Sequence, residues 1–434
     1  MKRFIGIIAA MAAICSCGAK VEVPGVDVPG FAKIINDTEN VTVLDVRTPA
    51  EFDAGHIDGA VNIDWQAAGF VKKAGELLDK EKTVAVYCRS GRRSAAAGAA
   101  LIKAGYKVVN LLGGYEAWSR DYFVVAYVTG WGREVVPDVT QMTHINYAFG
   151  KVKDTYDGLW VENEERLKMI VGLKSQKPEL KVLLSIGGWG AGNFSEMAIN
   201  PETRHAFALD CKRAVDEYGL DGIDLDWEYP TSSESGIGSD PTDTDNFTLL
   251  MKEIREAIGP DKYLTYASVW SAEYIDHKAI LPYIDWVNIM SYDMGLLGRF
   301  ISTGLYSSEL TGPGTTDAAL KAHIAAGIPR KMLTLGLAFY GRGKRDKFAD
   351  YINFRDIDTT KTGFSVKWDD RAMVPYIVND KGEFVFNYEN PASLRIKSQY
   401  AIDNGLLGGM YWDYGADDDQ CSLQKTVSGM FLGK

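Results

Sequence analysis

The chain has 434 residues, which at ~150 residues per domain implies two or three domains rather than one. Hydrophobic residues make up 46% of it and charged residues 24%, a soluble globular balance that excludes a disordered, collagenous or coiled-coil chain. Only 47 Lys and Arg stand against 58 Asp and Glu, and the net charge of -11 has the wrong sign for a nucleic-acid partner.

At the N-terminus, Lys2 and Arg3 precede an apolar run over 4–14, which falls well short of the ~20 residues that span a bilayer and reads as the core of a secretory leader. The run ends in Ile14-Cys15-Ser16-Cys17-Gly18, which resembles a bacterial lipobox with Cys17 at the lipidated position. A plain signal peptide with two incidental thiols is the alternative. No later apolar run is of membrane length, so membrane attachment would go through a lipid on Cys17, with the domains outside the cytoplasm. Beyond the leader remain Cys88, Cys211 and Cys421, an odd number that leaves at least one thiol free.

From Val21 to about Ser119, short β runs alternate with helical stretches, which predicts a small α/β domain with parallel strands. The strand Thr83-Val84-Ala85-Val86-Tyr87 leads into Cys88-Arg89-Ser90-Gly91-Arg92-Arg93 and then an Ala-rich helix. A cysteine there sits at the positive pole of the helix beside three arginines, and both influences favour thiolate. The same short loop can turn backbone N–H groups inward around an anion. In order along the chain come Leu44-Asp45-Val46-Arg47-Thr48-Pro49-Ala50-Glu51-Phe52, Gly55-His56-Ile57-Asp58-Gly59-Ala60, the loop opening at Cys88, and Leu112-Gly113-Gly114-Tyr115 with Trp118. This series resembles the single-domain rhodaneses over nearly all of residues 21–119. The resemblance implies that Cys88 accepts sulfane sulfur as a persulfide within the loop of Arg89, Ser90, Gly91, Arg92 and Arg93, with Asp45 and Arg47 as structural support. A rhodanese fold kept as a docking or sensing module is the alternative, and His56 reads as a packing residue.

The larger domain begins near Tyr122, leaving little chain for a flexible tether. Eight β-like runs, 123–128, 144–149, 181–188, 219–228, 264–270, 286–293, 333–341 and 408–414, alternate with helical stretches. That count predicts a (β/α)8 barrel over 122–432, with its active site at the C-terminal ends of the strands. The fourth run ends Asp221-Gly222-Ile223-Asp224-Leu225-Asp226-Trp227-Glu228, so Asp224, Asp226 and Glu228 fall at a period of two and share one face. Charges gathered inside a barrel persist where they bind a cation or control protons. Oxygen ligands would suit Mg or Ca, but no nearby His or Gly-rich phosphate loop joins them, so no metal and no cofactor is expected. As a proton device, a negative Asp226 would keep the outermost carboxyl, Glu228, protonated near neutral pH, as a general acid requires. In substrate-assisted glycosidases the sugar's 2-acetamido oxygen replaces the second carboxylate as nucleophile, and Asp226 would orient that group.

The segments Asp221 to Glu228, Ser185-Ile186-Gly187-Gly188-Trp189 and Met290-Ser291-Tyr292-Asp293 resemble, in order, the DxxDxDxE, SxGG and MxYD motifs of glycoside hydrolase family 18, the chitinase family. That resemblance implies Glu228 as the acid, Asp226 holding the acetamido N–H, and Asp224 sharing its charge. Tyr292 would bond the acetamido oxygen, Asp293 would shape the same subsite, Tyr127 and Ser185 would support Asp224, and Trp412 would floor the reactive sugar, with Trp189 also in the cleft. The segment 342–389 resembles a reduced α+β insertion, which points to a shallow groove. The expected substrate is a β-1,4-linked N-acetylglucosamine polymer or oligosaccharide. N-glycans and peptidoglycan fragments, a non-catalytic carbohydrate-binding protein on the same barrel, and a sulfurtransferase targeted by that barrel are alternatives; endo or exo action and the oligomeric state are not legible.

Overall fold

The computed structural model describes residues 21–295, 298–343 and 348–433; the leader and Cys17 lie outside them. Among the described residues no helix is long and apolar enough to cross a membrane. The chain divides into two compact units, Met1–Trp118 and Ser119–Lys434.

The first unit carries a parallel sheet of β1 (Gly25–Val26), β2 (Val41–Asp45), β3 (Val61–Asn62), β4 (Thr83–Tyr87) and β5 (Lys107–Leu111), in the order β1-β5-β4-β2-β3. Strands covered on both faces read as continuous apolar runs, which is why Val84 to Tyr87 are all buried. The crossover helices start on local signals. Thr48 accepts from the Glu51 amide while Glu51 reaches back to the Thr48 amide, a capping box that opens the helix Pro49–Asp53. Leu44, Val46, Val86, Ala97, Leu101 and Val108 fill the core.

The second unit is a closed barrel. Its elements are β6 (Phe123–Thr129), β7 (His144–Val152), β8 (Leu159–Val161), β9 (Lys181–Gly187), β10 (Gly222–Asp226), β11 (Tyr263–Val269), β12 (Trp286–Met290), β13 (Leu333–Ala338), β14 (Tyr340–Gly343), β15 (Ile352–Asn353), β16 (Phe364–Asp369), β17 (Val374–Asn379), β18 (Phe384–Tyr388) and β19 (Gly408–Trp412). Eight of them run parallel in the order β6-β19-β13-β12-β11-β10-β9-β7, and β6 pairs with β7 to close the ring. All eight β runs expected from the sequence are these barrel strands. The hairpin strand β8 pairs antiparallel with β7 at one edge.

Between β13 and β19 the chain makes a separate antiparallel sheet, β15-β14-β18-β17-β16, around Phe348, Ile377, Val385 and Phe386. Among the described residues of 342–389 the helical content is a single 3-10 turn, Phe354–Asp356, so the insertion is essentially all β where the sequence suggested α+β. The strand β17 explains the difference: Val374 to Asn379 completes a meander with β16 and β18, and meander strands need only tight turns between them. The following helix, Pro391–Asp403, starts with Asn390 capping the Ser393 amide and Pro at its first position.

Candidate active site

Strand β10 ends at Asp226, and Glu228 follows two residues on, so the three carboxyl side chains are delivered to the C-terminal mouth of the barrel by one strand. Asp224 is fully buried and accepts four hydrogen bonds. Tyr127 and Ser185 donate to its Oδ2, each at 2.8 Å, while Thr265 at 2.5 Å and Asn288 at 3.1 Å donate to Oδ1. The donors come from β6, β9, β11 and β12. Burial pushes the Asp224 carboxyl up and the hydroxyl donors pull it back down, and with both oxygens occupied it has no free face for a ligand. Thr265 and Asn288 were not anticipated from the sequence. Asp221, the first acid of the motif, sits at the other end of the strand, paired with Lys174 at 2.6 Å and accepting from the Val182 amide.

Asp226 differs from its neighbour. It is buried, and among the described residues its Oδ1 has no hydrogen-bond partner. Burial raises its carboxyl well above the ordinary range, and the charges of Glu228 and Asp224 add to the rise. Glu228 is raised to about 7, first by burial and then by Asp293, against the Tyr229 hydroxyl and the cations Lys151 and Arg342. The sequence reading had Asp226 holding the proton on Glu228 by repulsion. In the structure burial is the leading cause of the rise at both carboxyls, and the repulsion between them belongs to the pair. The two carboxyls therefore titrate as a pair that retains a proton near neutral pH.

Tyr292 is raised well above its ordinary value by burial and by Asp226 and Glu228, so its hydroxyl stays a donor beside them; its nearest partner is the Met410 sulfur at 3.9 Å. Asp293 is engaged by Arg342, Nε to Oδ1 at 2.7 Å and Nη2 to Oδ2 at 2.5 Å. The Arg342 guanidinium carbon stands 5.2 and 5.1 Å from the ring centroids of Tyr340 and Tyr351, which stack on each other at 4.5 Å. The insertion strand β14 thus fixes an acid of the barrel, a contact the sequence did not reveal.

Aromatic rings line the mouth on two sides. Trp412 stacks on Phe149 at 5.5 Å and neighbours Tyr127 and Trp131 at 5.6 and 6.4 Å. On the other side Tyr229 stacks on Tyr274 at 5.3 Å, with Trp189 edge-on to Tyr229 at 6.4 Å. Trp189 is 61% exposed and Trp131 42%; exposed indoles in line with a catalytic mouth are surfaces for stacking against a ring-shaped ligand. The glycines of the third-strand motif have a steric reason. A Cβ on Gly187 would stand 2.0 Å from the Asp226 carbonyl, and one on Gly188 2.3 Å from the Phe149 ring. The loop after Glu228 is pinned: Asp243 accepts from Ser195 at 2.8 Å and from the amides of Thr231 and Asp240, and Ser235 donates to the Glu228 carbonyl at 2.7 Å.

The first unit holds the second candidate site. Cys88 is fully buried just past β4, with the Ser94 hydroxyl 3.4 Å from its sulfur. Gly114 lets the next loop close over it: a Cβ there would lie 2.4 Å from the Cys88 carbonyl. The three arginines are not equivalent. Arg93 makes two bonds to Glu51 at 2.8 and 2.7 Å, Arg89 pairs with Glu116 at 2.7 Å on the surface, and Arg92 is exposed, as is Ser90. Gly91, at φ 83, starts the helix Arg92–Lys103. Asp45 takes a buried fork from Arg47, which lies 4.2 Å above the Tyr115 ring; His56 stacks on Phe52 at 3.8 Å.

A (β/α)8 barrel with carboxyls alternating at the end of its fourth strand, one of them protonated near neutrality, defines a glycosidase-type fold and site. The chain belongs to Glycosyl hydrolases family 18, whose profile matches residues 123–417; a Rhodanese-like domain matches residues 29–121. A family 18 N-acetylglucosaminidase from Paenibacillus barengoltzii is 32% identical, covers 71% of this chain and 99% of its own, and superposes with a TM-score of 0.65. The "Class V chitinase" of Arabidopsis thaliana is 30% identical over 67% of this chain and 84% of its own length. "Chitinase A1" of Niallia circulans is 28% identical over 76% of this chain, which spans 59% of that relative's length.

Proposed function

We propose that the barrel hydrolyses β-1,4-linked N-acetylglucosamine chains, chitin or its oligosaccharides, with retention of configuration. Glu228 gives its proton to the glycosidic oxygen as the C1–O bond breaks, and the acetamido oxygen of the sugar on Trp412 attacks C1, forming a cyclic oxazolinium. Water then attacks C1, Glu228 takes its proton back, and the ring reopens to the acetamide.

The observation that carries this reading is the buried Oδ1 of Asp226, unpartnered among the described residues, beside the raised carboxyl of Glu228. An acetamido N–H donated to that oxygen stabilises ionised Asp226, which leaves the shared proton on Glu228, where the leaving group needs it. It also aims the acetamido oxygen at C1, and neutral Tyr292 is placed to hold it. Asp224 lies beneath, fixed by its four donors. The test is incubation with defined chitooligosaccharides, N-glycopeptides and muropeptides, with products identified by mass. Release of N-acetylglucosamine oligomers from the first supports the proposal, cleavage of one of the others alone redirects the substrate, and no cleavage anywhere rejects it in favour of carbohydrate binding.

The same proposal includes a sulfur-accepting Cys88, supported by the buried thiol with its Ser94 donor, and export as a lipoprotein anchored through Cys17. Thiosulfate-to-cyanide transfer lost in Cys88→Ser, and metabolic labelling with a palmitate analogue lost in Cys17→Ser, are the checks.

A further inference from the structure

Lys151 lies in β7, two residues past Phe149, and none of the motifs assigns it a task. Its Nζ donates to the Gly187 carbonyl at 2.6 Å and stands 4.7 Å from the centroid of the Phe149 ring. Both neighbours belong to the site. Phe149 is stacked on Trp412. Gly187 lies abreast of Asp226 in the β9–β10 ladder, and the amide of Gly188 donates to the Asp226 carbonyl at 2.8 Å. The turn carrying the Lys151 acceptor is therefore pressed against the backbone of Asp226, as the clash of a Cβ at Gly187 also shows.

We propose that Lys151 is a positioning residue for the carboxyl pair: it holds the Gly187–Gly188 turn against Asp226 and supplies the positive charge that lets Asp226 and Glu228 retain one proton between them instead of two. This rests on the reading of Glu228 as general acid.

The charges around the pair support that division. Lys151 is faced by Glu162, Asp226 and Glu228, which resist the lowering that burial imposes on its ammonium. Asp226 is faced by Glu228 and Asp224, with Lys151 opposing them. Glu228 is faced by Asp293, the Tyr229 hydroxyl, Lys151 and Arg342. Arg342 is bound at both carboxylate oxygens of Asp293, so its charge is largely answered. Lys151 meets a carbonyl, whose dipole orients the ammonium without neutralising it. Without that ammonium both carboxyls hold protons more tightly, and Asp226 stays neutral when it should accept the substrate amide.

The experiment compares wild type with Lys151→Met, which keeps the aliphatic stem over Phe149, and Lys151→Arg, which keeps the charge; Lys151→Gln replaces the first if it fails to fold by circular dichroism. Two readouts are taken. One is kcat/KM against pH on a chromogenic chitobioside. The other is a carbon-13 NMR titration of glutamate carboxyls, with the Glu228 signal assigned by its loss in Glu228→Gln. In the charge-removing variant, the alkaline limb and the Glu228 midpoint both move up by roughly half to one pH unit, and the Arg variant stays near wild type. An unmoved Glu228 midpoint in a folded charge-removing variant overturns the proposal, even if activity falls evenly at every pH. The NMR midpoint decides this whether or not the wild type cleaves the chitobioside, so a failure of the hydrolase reading is seen separately.

Discussion

Both units place a candidate reactive group just beyond the C-terminal end of a parallel strand, and they support it differently. Past β4, Cys88 is held by the Gly91 turn, the loop at Gly114 and the Ser94 side chain, with Arg93 near enough to interact with the thiol. Past β10, the acids depend on side chains from other strands, with Tyr127, Ser185, Thr265 and Asn288 converging on Asp224 from β6, β9, β11 and β12. A cysteine side chain is small and only weakly polar, and is cheap to bury. A carboxylate costs several kcal/mol unless donors surround it, and four donors from four directions require a closed ring of strands.

The sharpest way to break that comparison is to remove each reactive group. Glu228→Gln should lower sugar release by at least roughly 10²–10⁴-fold, the contribution of a general acid, with the melting profile unchanged and thiosulfate sulfur transfer intact. Cys88→Ser should leave sugar release at the wild-type rate. Equal loss of both activities in either variant would deny the division of labour.

Next in size are the supports. Asp45→Ala strips the partner from buried Arg47, and stranding such a charge costs about 3–5 kcal/mol. Differential scanning calorimetry should show the transition of the first unit lowered or lost while that of the barrel stays. Asp224→Ala strands four buried donors; with about 1–3 kcal/mol for each unsatisfied group, less what water recovers, the barrel transition should drop and Asp224→Asn should drop it less. Smaller again is Trp412→Ala. Stacking contributes ~0.5–1.5 kcal/mol beyond burial, so kcat/KM on a chitooligosaccharide should fall roughly tenfold. Finally, burial raises the Glu228 carboxyl to about 7; an acid must be protonated to act, so kcat/KM, which reports the free enzyme, should decline as pH rises through that value. A profile flat to pH 9 would remove Glu228 from the role.

How much of this was readable in advance depended on whether a residue's partners were near it in sequence. The eight barrel strands and the alternation of Asp224, Asp226 and Glu228 are local patterns, and period or spacing exposes them. The donors Thr265 and Asn288 lie in strands of their own, and Thr265 reads as an ordinary strand former. Asn288 left one signal, a lone amide inside the apolar run Trp286-Val287-Asn288-Ile289-Met290. The Arg342–Asp293 fork and the Lys151–Gly187 contact join residues 49 and 36 positions apart, and single-sequence patterns carry no information about such pairs. The all-β character of the insertion also rests on pairing, since β17 joins β16 and β18 in one meander. That strand, Val374-Pro375-Tyr376-Ile377-Val378-Asn379, contains a proline, which ordinarily argues against a sheet interior.

The account stands on a substrate amide doing the work of a second carboxylate. Its most direct test is one proton-NMR time course of two matched tetrasaccharides, chitotetraose with every N-acetyl group present and its fully deacetylated counterpart. The expected record is β-anomer appearing first from the acetylated substrate and no turnover of the other. Cleavage of both at similar rates, or first release of the α-anomer, would contradict it.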